Sequence, residues 1–292
     1  MEPTAQQLEI LKKKMEDDIR VKAQYKQQEK SISKIFYQLK KISINLNIKN
    51  SDEIKYVSKQ ATIDILLKAL TQSTESLILL MKSKLHFGID PLARVTLEYA
   101  VNLIYLIDDN ENIKNKQLLK HYFDDTLKKS KRWYESAVDN NDKDEIHISK
   151  TKMDFIQELK DEHHILYNDD TLKKWPNAHD RFLACGLKSS YRTLYAMNSD
   201  SVHSLSEDVY NFNTIPNYPI ELQQTIEKYF LTANASLSIY HILECIRFYS
   251  MALQNICILL KNNEDLTKIN NLVIKLEPLL EFHKDEVVEE YS

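Results

Sequence analysis

Apolar residues recur every three or four positions in stretch after stretch of this chain, the spacing that gathers them on one face of an α-helix. The first stretch opens at Thr4, an N-cap candidate preceded by Pro3, and continues to about residue 46. Its apolar positions are sparse at Leu8, Leu11, Met15, Ile19, Val21 and Tyr25, then thicken at Ile32, Ile35, Phe36 and Leu39. The segment ends at 45–50, and Ser51 followed by Asp52 and Glu53 predicts a helix to about residue 85, with Ala61, Ile65, Leu66, Ala69, Leu70, Ile78 and Leu79 on its buried side. A turn at 86–89 leads to Asp90-Pro91 and a helix with apolar residues almost all round it, which predicts a central position. Two amphipathic helices follow at 113–140 and 143–166, joined by a polar loop. Trp175-Pro176 predicts a change of direction, and Asn177 or Asp180 a cap for a short helix ending at Gly186. A helix from about 188, a long apolar helix at 220–260 and a last one at 266–283 complete the pattern, before an acidic end, DEVVEEYS.

These elements predict an all-α protein, a multi-helix bundle of long helices with an extended N-terminal helical arm, and no sheet of three or more strands. The predicted division is a charged arm at 1–50, a bundle core at 51–283 and an acidic tail at 284–292. The arm either pairs with another copy as a short coiled coil or lies across the bundle.

Two helices carry polar residues at helical spacing. In YRTLYAMNSDSVHSLS, Tyr195, Ser199 and His203 recur every four positions, a phenol, a hydroxyl and an imidazole in one row. In ARVTLEYAVNLIYLI, Arg94 and Glu98 stand four apart within an apolar helix, where a guanidinium and a carboxylate need partners. The two rows are expected to converge on one pocket. His241 and Glu244 are expected to contribute from the long helix, where with Arg247 they follow at three-residue spacing.

Composition narrows the classes. Of 292 residues only two are glycine, and neither the Rossmann nor the P-loop fingerprint is present. A net charge of −4 with signs alternating along most segments suits solvated helix faces better than a nucleic-acid stripe, so sequence-specific DNA binding is not expected. Cys185, Cys245 and Cys257 lie far apart in apolar surroundings and read as reduced core residues. Di-iron bundles use Glu-x-x-His, whereas His241-x-x-Glu244 is reversed and Glu162-His163 has the wrong spacing; no metal and no cofactor are expected. With no apolar run behind an N-terminal positive charge and no eighteen uninterrupted apolar residues, a cytoplasmic protein without a membrane partner is expected.

Ala93, Arg94, Glu98, Asn102, Tyr105 and Leu106 spell A-R-x-x-x-E-x-x-x-N-x-x-Y-L, and some ninety residues later Leu194, Tyr195, Ser199 and His203 spell L-Y-x-x-x-S-x-x-x-H. In this order the two half-motifs resemble the bacterial family called domain of unknown function 5677, over roughly residues 55–260. The resemblance implies a helical protein, singles out Arg94, Glu98, Tyr195, Ser199 and His203, and brings no established reaction. A more distant similarity is to HEPN helical bundles, many of them metal-independent ribonucleases of defence and toxin systems. Their hallmark is an Arg followed after four to six residues by His. Here Arg192 stands eleven residues before His203, and Asn198 occupies the position five before it.

Three function classes follow. In an RNA-cleaving, defence-associated or toxin-like effector, His203 would act as general acid or base, Arg94 would stabilise the phosphorane and Glu98 would orient one of them, with Tyr195 and Ser199 completing the site. In a sensor, Arg94, Tyr195 and His203 would hold a small anionic ligand. In an interaction scaffold for a protein partner, the polar cluster would only fix helix register. Self-association, in any class, would run through the N-terminal helix.

Overall fold

The computed structural model describes residues 4–109, 111–162, 172–196 and 206–289. Among them there is no strand, and the chain is an all-α multi-helix bundle. Helix α1 (Ala5–Lys22) begins at a capping box: the Thr4 backbone N–H donates to the Gln7 side chain at 2.8 Å and the Thr4 hydroxyl accepts from the Gln7 backbone N–H at 3.3 Å. The single opening helix expected from the sequence is interrupted by a tighter 3-10 segment, Ala23–Gln27, before α2 (Glu29–Asn45). Side chains at the break explain it. Tyr25 is buried edge-on against His86, and Gln28 accepts from the buried His283 at 3.1 Å. Ile32, Phe36 and Leu39 of α2 are fully buried in the same core as the later helices, whereas α1 buries only Ile19.

Helix α3 (Val57–Lys82) starts six residues later than Ser51 predicts. Gln60 reaches back to donate to the Ser51 and Ile54 carbonyls, both at 2.8 Å, and Ile48 and Ile54 are buried, so the connection is a pinned loop. The buried face also differs from expectation: Ile65 and Leu79 are more than half exposed, and the core side runs through Ile63, Leu67, Leu70, Thr74, Leu77 and Met81. Thr71 and Thr74 occupy that face because their hydroxyls donate to the carbonyls of Leu67 and Leu70 at 2.7 Å, leaving their methyls for packing.

Helix α4 (Ile89–Ile107) is central, with eleven buried residues. Its C-terminal end is closed by the buried Lys59, whose ammonium donates to the carbonyls of Ile107 and Asp109, where the helix dipole favours a cation. Helices α5 (Ile113–Asp139) and α6 (Lys143–Glu162) pack on each other as a hairpin. Helix α7 (Ala178–Ala184) is capped by Asn177, which accepts from the Asp180 backbone N–H at 2.9 Å. Gly186, at φ 74, permits the left-handed turn into Lys188–Ser190, which passes into a π-helical stretch, Tyr191–Ala196. Helix α8 (Ser206–Thr214) precedes the 40-residue α9 (Ile220–Leu259), which packs against α1, α3, α4 and α10 (Asn263–Glu289). By length and composition α9 could cross a membrane, but 67% of its most apolar window is buried inside the bundle. Its apolarity supplies the core.

Candidate functional site

Three elements bring the polar residues together. Helix α4 presents Arg94 and Glu98 one turn apart, α7 presents Arg181, and the π-helical stretch presents Tyr195. Arg94 Nη2 donates to the Tyr195 hydroxyl at 3.2 Å; that hydroxyl donates to Glu98 Oε2 at 3.0 Å; and Glu98 Oε1 accepts from Arg181 Nη2 at 2.8 Å. The Arg94 guanidinium also lies 4.8 Å from the Tyr195 ring centroid.

Packing fixes this chain of bonds. Tyr195 stacks on Tyr191 at 5.4 Å and packs against Phe182, which in turn meets Phe248 of α9. The π-helical winding adds width to the turn, a local feature that recurs at functional sites. Arg181 is 5% exposed, donates through Nη1 to the Pro176 carbonyl at 2.5 Å and lies 5.4 Å from the Trp175 ring centroid. The change of direction at Trp175-Pro176 is what holds Arg181 over Glu98.

Electrostatics divide the two guanidinium groups. Burial pulls the Arg181 pKa down, against which the Glu98 carboxylate raises it, and the pair forms an ion pair. Burial, and then Glu98, push the Tyr195 phenol up, so it keeps its proton and donates to the carboxylate. Arg94 makes no ion pair among the described residues, and its buried Nε has no hydrogen-bond partner there. The Arg181 Nε and the Asn102 Oδ1, one turn beyond Glu98, are likewise buried and unpartnered. Among the described residues the cluster therefore has one guanidinium in an ion pair, Arg181, and one without, the half-buried Arg94.

Of the expected site residues, Arg94, Glu98 and Tyr195 are brought together; Ser199 and His203 lie outside the described residues. His241 and Glu244 are buried on α9 and hydrogen-bond to neither Arg94, Glu98 nor Tyr195 among the described residues. His241 Nδ1 donates to Asp90 Oδ1 at 2.7 Å, one turn before Arg94 on α4, and its Nε2 is buried without a partner. Glu244 accepts from Arg247 at 2.7 Å, as their spacing predicts. Arg181 and Asp90 were not singled out by the sequence. A single Arg in a seven-residue helix leaves no periodic trace, though an arginine directly beside Phe182 and six residues after Trp175 is a usable signal.

Among the described residues no group of three or more His, Cys, Asp or Glu is placed to hold a metal ion. The three cysteines are free; burial pushes the Cys185 and Cys257 thiols up to about 11 and Cys245 well above the usual range, so none is a ready nucleophile at neutral pH.

No curated protein and no solved structure matches this chain. The model of one family, described as a family of unknown function (DUF5677), matches residues 61–217. That span holds Arg94, Glu98, Asn102, Arg181 and Tyr195 and stops short of α9, which the motif resemblance had included. Covering more than half of the sequence, and with it every member of the Arg94–Tyr195–Glu98–Arg181 chain of bonds, the match makes this protein a member of the DUF5677 family.

Proposed function

We propose that the chain is a ligand-binding helical bundle that takes the phosphate or carboxylate group of a small anionic molecule on Arg94. The observation that carries the reading is the Arg94 guanidinium, which has no ion-pair partner among the described residues. Glu98 is engaged by Arg181 and Tyr195, so Arg94 is fixed by a hydroxyl and a ring face while its charge stays available. A guanidinium held this way offers planar donors to an oxyanion, and charge-assisted bonds of this type are among the stronger polar contacts. Arg181 serves the site without touching the ligand: by pairing with Glu98 it offsets part of the negative charge that would repel an anion.

Calorimetric titration with inorganic phosphate tests this. The parent protein should bind saturably and Arg94→Ala should lose that binding while keeping its helical circular dichroism. Equal binding by Arg94→Ala, or no binding by the parent, overturns the reading. Cleavage of RNA abolished by both Arg94→Ala and His203→Ala would instead favour the effector class.

A further inference from the structure

A second site stands apart from Arg94. Helices α2 and α10 line a groove of about 460 Å³, inside the 300–1,000 Å³ typical of small-molecule sites. Its walls are two single helix faces. Gln38, Lys41, Ile42 and Asn45 follow on α2 at steps of three and four, and Lys268, Asn271, Leu272 and Lys275 do the same on α10. Ile42 and Leu272 are 8% and 6% exposed and form an apolar floor.

The polar lining is unevenly occupied. Lys268 is held by Glu264 at 2.7 Å and Asp265 at 2.9 Å, and those hydrogen bonds push it up to about 12. The hydrogen bond from Lys268 holds the Asp265 carboxyl below its ordinary value, so the one acid in the groove is ionised and already paired. Lys41 and Lys275 make no ion pair or side-chain hydrogen bond among the described residues, and neither do the carboxamides of Gln38, Asn45 and Asn271. Two exposed ammonium groups, Lys41 on α2 and Lys275 on α10, thus line the groove beside an apolar floor with no ion pair among the described residues, next to carboxamides that are equally unengaged there.

We propose that this groove binds a small organic dianion, a phosphate monoester or a dicarboxylate with a flat apolar body. The body lies on Ile42 and Leu272, the charges meet Lys41 and Lys275, and the carboxamides select among polar substituents. The inference goes beyond the Arg94 reading and depends on none of its residues.

Phenyl phosphate and phthalate supply the two chemistries as probes, and Arg94→Ala protein separates this site from the other. The Arg94→Ala protein should bind one of the probes saturably by calorimetry. Adding Lys41→Ala and Lys275→Ala should weaken that binding about tenfold or more. Both lysines are exposed, so the fold should be unchanged by circular dichroism. Whichever probe binds identifies the anionic group. Absence of saturable binding of either probe to Arg94→Ala protein overturns the proposal, as does binding that survives loss of both lysines.

Discussion

Replacing Glu98 with Gln should make the protein less stable and a better anion binder at once. The stability loss comes from Arg181, whose side chain is 6% exposed while that of Glu98 is 36% exposed. Breaking a fully buried pair costs about 3 to 5 kcal/mol, and an exposed one about 0 to 1 kcal/mol. This pair lies between those limits, and the Gln carbonyl still accepts one hydrogen bond, so a loss of about 2 kcal/mol is expected. The affinity gain comes from Arg94. Through the Tyr195 hydroxyl, the Glu98 carboxylate oxygen is about 6 Å at most from the Arg94 donor, taking the two hydrogen bonds end to end. An anion on Arg94 stands a little farther from that negative charge, roughly 8 Å by contact geometry, where at an effective dielectric of about 20 to 40 the repulsion is about 1 to 2 kcal/mol. Removing it should tighten phosphate binding about tenfold. Urea denaturation and calorimetry on the same preparation read the two effects. Unchanged or weaker phosphate affinity in folded Glu98→Gln protein would refute the charge argument.

Two further outcomes follow from the packing. Phe182, 1% exposed, supports Tyr191, Tyr195 and Phe248, so Phe182→Ala should cost about 3 to 5 kcal/mol in urea denaturation and weaken phosphate binding by loosening Tyr195. Burial, and then the charge of Lys84, lower the His86 pKa from 6.5, so below that pH the unfolded chain takes up the proton more readily and stability should fall; His86→Phe should flatten this stretch of the stability–pH curve, measured by denaturation at stepped pH.

The helices were legible because apolar residues recur at helical spacing, and the central place of α4 because apolar residues surround it almost completely. The phase of α3 was not. Leucine and isoleucine occur on both its sides, and the core face accepts Thr71 and Thr74 by satisfying their hydroxyls within the helix, which hydrophobicity alone cannot anticipate. The break at Ala23–Gln27 was equally hidden, since it is made by contacts of Tyr25 with His86 and of Gln28 with His283, residues distant in sequence. At the site, Arg94, Glu98 and Tyr195 were legible because a buried charge on an apolar helix must find partners. The partner that completes the chain, Arg181, comes from a helix too short for periodicity to mark.

The π-helical stretch Tyr191–Ala196 makes this site sensitive to chain length more than to residue identity. Such a stretch is an α-helix that has absorbed extra backbone, and excising one residue between Tyr191 and Tyr195 would let it rewind. Each residue of an α-helix accounts for about 100° of rotation, so the phenol would swing off the axis between Arg94 and Glu98 even if every side chain at the site were kept. Homologous stretches can therefore vary in composition at the positions other than Tyr195 and keep the bridge, but a one-residue gap there should coincide with loss of the Arg94–Glu98 couple as well.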